Sequence, residues 1–269
     1  MSDRQDPGKD SSPERVSATV DDGVALVVVD SPPHNFLTES LLRELADVLG
    51  SLAGQCRSAV LASNGRSFCA GANFRSDDAP DPGAGGSFES SARQFYAQAI
   101  RVFAAEVPLV AAIQGPAIGA GLGLALACDM RVMSEKAWVQ ANFVRLGIHP
   151  GFGISYMLER LAGLAGASDL LLTGRRVGAA EALGMGLVNR VAAEGSELEV
   201  ALEVAGEIAA GAPLAVSATR ATLRGGLVEA IRQALDHELA EQSLLAGSAD
   251  ALEGVMAMLE KRRPRFKGS

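Results

Sequence analysis

The sequence predicts an α/β layer structure that gives way to a helical C-terminal part. Short β-rich apolar runs alternate with helical spacing up to about residue 205, and no strand-like run occurs after Pro213. In addition, "PLVAAIQGPAIGAGLGLALACD" carries a strand into a glycine-rich turn and then a helix, the kind of junction at which bare backbone meets a partner.

In chain order, "MSDRQDPGKDSSPERV" lacks the apolar stretch of a signal peptide, so residues 1–15 read as a disordered tail. "VSATVDDGVALVVVD" sets two β-rich runs around Asp21-Asp22-Gly23, a hairpin signal. "TESLLRELADVLGSL" has Leu41, Leu45, Val48 and Leu52 at helical spacing, with Thr38 as N-cap. "SAVLAS" and "PLVAAIQG" read as short buried strands that end in turns. Between them Arg75 to Ser91, "RSDDAPDPGAGGSFESS", is long for a bare connection and reads as a lid or a solvated loop. The segment from Pro213 predicts three or four helices. The expected division is a tail over 1–15, an α/β core over 16–205 and a helical part over 206–269.

A chain of 269 residues is long enough to bury a full core. The formal charge is −8, and "KRRPRFK" at the end holds five of the cations, which leaves −13 on the rest. Such an acidic body repels a phosphate backbone and argues against nucleic acid as a partner. Cys56, Cys69 and Cys128 form no CxxC pair, and His34, His149 and His237 are far apart, so neither a disulfide framework nor a metal site is expected. The longest stretch without charged or large polar residues, Gly115 to Cys128, is too short to span a membrane. A cytoplasmic protein is expected.

The glycines of "GAGLGLALACD" do not make a nucleotide cradle. The position that would complete GxGxxG after Gly119 and Gly121 is Leu124, and no Gly-Lys-Ser/Thr follows for a P-loop. Close helix packing and a functional backbone remain. Four segments decide between them: "SFCAGANF" (Ser67 to Phe74), "GPAIGAGLGLALACDMRV" (Gly115 to Val132), "LLLTGRRVGAAEALGMGLVNRV" (Leu170 to Val191) and the closing "LEKRRPRFKG". In this order they resemble the signature segments of the crotonase, or enoyl-CoA hydratase/isomerase, superfamily, from residue 16 onward.

The resemblance implies a crotonase-like spiral of ββα units, a C-terminal helical trimerisation part, and a homotrimer or a hexamer of two. It implies an acyl-CoA thioester as ligand, with coenzyme A as part of the substrate and no separate cofactor. The thioester oxygen would sit between the backbone N–H groups of Ala72 and Ala120. Small residues there, Gly119 and Gly121 beside Ala120, would let the ligand approach, and a helix N-terminus adds positive potential. Ala70, Asn73, Phe74, Arg75 and Phe143 would line the substrate. "PPHNFL" (Pro32 to Leu37) would border the coenzyme path, Asn73 standing where an acid is frequent. Arg75, Lys261 and Lys267 are candidates for a phosphate.

The chain departs from the family's hydratases at both catalytic glutamates: the matching positions are Gly123 and Phe143, and their neighbours Leu122, Leu124, Asn142 and Val144 offer no acid. Three readings follow. The base comes from elsewhere, with His149 in "GIHPG" first in line because imidazole titrates near neutrality; Asp77, Asp78, Glu89, Tyr96 and His34 stand behind it. The chain runs another reaction of the superfamily, such as decarboxylation, dehalogenation or C–C cleavage. Or it is a non-catalytic acyl-CoA carrier or sensor with an apolar pocket. The competing reading of His149 is structural, a hydrogen bond ahead of Pro150 as the first residue of a helix.

Overall fold

The computed structural model describes residues 15–73 and 88–269. Most of the polar tail, Phe74, Arg75, Asp77, Asp78 and most of the Arg75–Ser91 loop lie outside the described residues.

Strands β1 (Arg15–Asp21) and β2 (Val24–Asp30) form the expected hairpin. Asp21 lies opposite Val24, and the turn is made by Asp22 and Gly23 at φ 43° and 78°. Helix α1 (Glu39–Ser51) starts at its predicted cap, Thr38, whose hydroxyl accepts the N–H of Leu41 at 3.1 Å. The two apolar runs are β3 (Ser58–Ser63) and β4 (Leu109–Ile113), with α2 (Phe88–Phe103) between them. Next come β5 (Ala117–Ile118), α3 (Ala120–Ala127), β6 (Met130–Ser134), β7 (Trp138–Gln140) and a 3₁₀ turn at Phe143–Leu146. Then follow α4 (Ile154–Thr173), β8 (Arg176–Gly178), α5 (Ala179–Gly184), β9 (Arg190–Ala192) and α6 (Glu197–Ala210). The chain closes with α7 (Pro213–Leu223), α8 (Leu227–Leu245) and α9 (Ala249–Leu259), helices only, as expected.

The strands make a six-stranded sheet in the order β1-β2-β3-β4-β6-β9, parallel beyond the hairpin, and a three-stranded sheet β5-β7-β8. β3 and β4 read as continuous apolar runs because both of their faces are covered. Ala59, Leu61, Leu109, Ala111 and Ile113 join the main core with α1, α2 and α3, while Val60, Ala62, Val110 and Ala112 pack on Ala201, Val204 and Ala205 of α6. Every residue of α3 is buried, so this short, wholly apolar helix runs through the centre of the molecule.

The C-terminal helices are tied to this core by polar contacts. Asp129, just after α3, accepts Arg220 Nε of α7 at 2.8 Å, Arg224 at 3.0 Å and the N–H of Leu109 at 2.8 Å. Helix α8 packs on α2 and α4, and α9 packs on the 3₁₀ turn, where Gly254 and Gly147 allow backbone to meet backbone. Pro150 does not open a helix, contrary to the local reading. Phe152 and Gly153 hold φ at 64° and 71°, which breaks helical continuity and delays α4 to Ile154. Among the described residues no single helix is long and apolar enough to cross a membrane.

Candidate functional site

Two glycine-containing segments are brought side by side at the start of α3. Cys69 bridges Ala117 of β5: the N–H of Cys69 meets the Pro116 carbonyl at 3.2 Å, and the N–H of Ile118 meets the Cys69 carbonyl at 2.9 Å. On its other side the first segment pairs with Leu37, which donates to the Gly71 carbonyl and accepts the N–H of Asn73, each at 2.8 Å. These two bonds straddle Ala72 and leave its own N–H directed away from Leu37, without an acceptor among the described residues. Ala120 is the first residue of α3, and the first intrahelical bond, Gly123 N–H to the Gly119 carbonyl at 3.1 Å, lies beyond it. Its N–H is therefore one of the orphan donors of a helix start and likewise finds no described acceptor.

The flanking glycines have reasons other than ligand approach. Gly119 turns the chain into α3 at φ 52°, ψ −122°, its N–H held by the Gln140 carbonyl at 2.9 Å. Gly121 lies directly on the preceding segment: a Cβ there would overlap the Cys69 carbonyl oxygen and stand 2.7 Å from the carbonyl carbon. The obstacle is backbone and cannot rotate aside. Gly121→Ala is expected to lower stability by about 1–3 kcal/mol, the usual result of overpacking. Denaturant unfolding measures it, and an unchanged midpoint would contradict the close approach. Cys69 is a packing thiol, its pKa pushed up to about 12 by burial.

Aromatic rings fill the two positions at which the resemblance would place acids. A Cβ on Gly123 would stand 2.6–2.9 Å from Cδ1, Cβ and Cγ of Phe152, so that ring occupies the space a side chain at 123 would need. Phe152 is 1% exposed and meets Phe95 edge-on and Phe103 at a tilt, ring centroids 5.8 and 6.3 Å away. Phe143, in the 3₁₀ turn, reaches the start of α3 with its Cζ 3.8 Å from a Cβ built on Gly119. Phe152 has no local signal in the sequence beyond its two flanking glycines.

His149 sits between these rings in sequence but faces α8. Its Nδ1 lies 2.9 Å from the Pro150 carbonyl, its own carbonyl accepts Gln242 Nε2 at 2.9 Å, and its ring meets His237 edge-on at 5.6 Å. A carbonyl only accepts, so in the neutral imidazole the proton lies on Nδ1, and Nε2 has no hydrogen-bond partner among the described residues. Tyr96 is buried, its hydroxyl donating to Gln242 at 2.6 Å, and burial raises its pKa, so it stays a neutral phenol.

The other predicted residues are more dispersed. Ala70 donates to the His34 carbonyl at 3.0 Å, and His34 Nδ1 approaches the Ser67 hydroxyl at 3.2 Å, a loop brace. Glu89 pairs with Arg93 on the surface of α2. The N–H of Lys267 binds Asp250, which folds the basic tail back onto α9. Ala72, Ala120, Phe143 and Gly123 are thus brought together, and His34, Glu89 and Lys267 are engaged elsewhere.

Comparison with known proteins shows the family. The family profile described as enoyl-CoA hydratase/isomerase matches residues 19–269. The 2,3-dehydroadipyl-CoA hydratase of Escherichia coli is 36% identical over 248 residues, covering 91% of this chain and 95% of its own. The carnitinyl-CoA dehydratase of Proteus mirabilis is 34% identical over 254 residues, covering 90% and 94%. Among solved structures, an enoyl-CoA hydratase/isomerase from Pseudoalteromonas atlantica superposes with a TM-score of 0.82 at 32% identity, covering 94% of this chain and all of its own.

Proposed function

The chain belongs to the enoyl-CoA hydratase/isomerase family of the crotonase superfamily, and on that premise we propose that it binds an acyl-CoA thioester whose carbonyl oxygen is held by the N–H groups of Ala72 and Ala120. The observation that carries this reading is a pair of N–H donors, without acceptors among the described residues, on two segments joined by the Cys69–Ala117 bridge. Two such donors stabilise the negative charge that gathers on a thioester oxygen as an enolate forms.

What the site then does is limited by its side chains. Hydration across a double bond needs a group to split water and deliver a proton, and neither Gly123 nor Phe143 can transfer one. The proposed base is His149, supported by its Nδ1–H tautomer, and the proposed reaction is an isomerase- or lyase-type step through an enolate. Asn73 and Phe143 are proposed to border the acyl group and the thioester. A second reading, an acyl-CoA carrier or sensor, draws support from the Phe152 ring over Gly123, which leaves that wall of the site apolar. Helix α7 buries none of its residues, with Leu214 and Leu223 exposed, and this supports assembly as a homotrimer or a hexamer of two.

Calorimetric titration with short and long saturated acyl-CoAs tests the binding: a saturable heat is expected with at least one, and none with either would remove the reading. A mass-spectrometric screen of thioesters then identifies any product. On that substrate His149→Ala is expected to slow turnover by about 10²–10⁴-fold. Unchanged turnover would take His149 out of the mechanism.

A further inference from the structure

Helix α8 grips the turn that carries His149 and Phe152. Glu238 is 0% exposed, and its carboxylate accepts the N–H of Gly153 at 2.7 Å, the N–H of Ser155 at 3.0 Å and the Ser155 hydroxyl at 2.5 Å. One helical turn on, Gln242 donates to the His149 carbonyl and accepts the Tyr96 hydroxyl. Gly151 is left no room for a side chain, since a Cβ there would stand 2.7 Å from Gln242 Nε2 and overlap the Tyr96 hydroxyl.

Between these grips lies a strained backbone. Phe152 holds φ at 64°, a region that bulky residues avoid and that persists only where the surroundings impose it. The acid responsible is unusual too. A fully buried carboxylate is costly to keep, and burial pushes the Glu238 carboxyl above the usual range, against its hydrogen bonds and the nearby His149. The helix start it caps, at α4, favours a negative charge but does not require one brought from a segment 85 residues away.

The product of this arrangement is the position of one ring. Phe152 covers Gly123, which lies three residues after Ala120 and therefore on the same face of α3, one turn below the donor. We propose that Glu238 is a positioning residue for acyl selectivity: by holding the strained turn it keeps Phe152 over Gly123, and the ring limits how far an acyl chain extends along α3 from Ala120. The proposal rests on the acyl-CoA reading given above. It assigns no chemical step to Glu238, which acts only through Phe152.

The test is a double-mutant cycle on the full-length chain, read as the ratio of calorimetric dissociation constants for butanoyl-CoA and decanoyl-CoA. Phe152→Ala is expected to move the ratio towards the longer chain by about tenfold or more, the discrimination that a methylene or two gives in an apolar pocket. Glu238→Ala should move it in the same direction, and the double variant should match Phe152→Ala alone, because both changes act on the same ring. Ser155→Ala, which removes one of the three donors, should give a smaller shift of the same sign and serves if Glu238→Ala does not fold. An unchanged ratio in these variants, or a shift by Glu238→Ala that is as large without Phe152 as with it, overturns the proposal. A wild-type chain that binds neither thioester is a different result: it overturns the acyl-CoA reading and this inference with it.

Discussion

Ala120→Pro is expected to lower turnover of the thioester substrate by about 10²–10³-fold, the loss that follows removal of one oxyanion donor. The substitution is chosen because the donor is backbone and no ordinary side-chain change can delete it. Ala120 is the first residue of α3, where proline is tolerated: its N–H makes no intrahelical bond, and the ring's fixed φ suits a helix start. Gly119 before it is free of the Cβ clash that restricts most residues ahead of a proline. Ala120 is buried, so the larger proline ring is expected to cost about 1–3 kcal/mol by overpacking, less than the stability of a typical domain. Single-turnover kinetics with thermal unfolding on the same sample makes the comparison. A variant that folds normally and turns over normally would show that this N–H does not meet the oxygen.

The second large effect concerns hydration. With trans-2-enoyl-CoA substrates the rate is expected to lie at least about 10⁴-fold below that of a hydratase with both glutamates, given 10²–10⁴ for each general acid–base group and some overlap between paired groups. Restoring one acid should not recover it. In Gly123→Glu the new side chain starts 2.6–2.9 Å from Phe152, whose ring is locked between Phe95 and Phe103, so the carboxylate is displaced or the helix shifts. Gly123→Glu combined with Phe143→Glu and Phe152→Ala should gain hydration activity over the wild type, followed by loss of the enoyl absorbance. Hydration rescued by Gly123→Glu alone would contradict the packing of Phe152 against that position.

Much of the fold was legible because its signals are local. Asp22-Gly23 suits a positive-φ turn, Thr38 caps the helix that follows it, and β3 and β4 announce burial on both faces by their unbroken apolar runs. The roles proposed for Ala72 and Ala120 come from the order of the motifs. What the sequence did not disclose depends on contacts between distant segments. Nothing near residue 123 announces Phe152, and nothing near residue 153 announces Glu238. Gly121 was read as room for a ligand, whereas its neighbour is the Cys69 carbonyl. Pro150 followed a sound local rule, the preference of proline for the first helical position, and lost to two positive-φ residues imposed by α8 and α2.

The central claim is that a thioester carbonyl accepts hydrogen bonds from both Ala72 and Ala120. It is tested most directly by the infrared carbonyl stretch of an acyl-CoA labelled with ¹³C at the carbonyl and bound to the protein. Two donors polarise the C=O bond, so the band is predicted to move to lower wavenumber on binding to the wild type and to recover part of the shift in Ala120→Pro. A bound thioester whose carbonyl band stays at its solution position, in wild type and variant alike, would contradict the account.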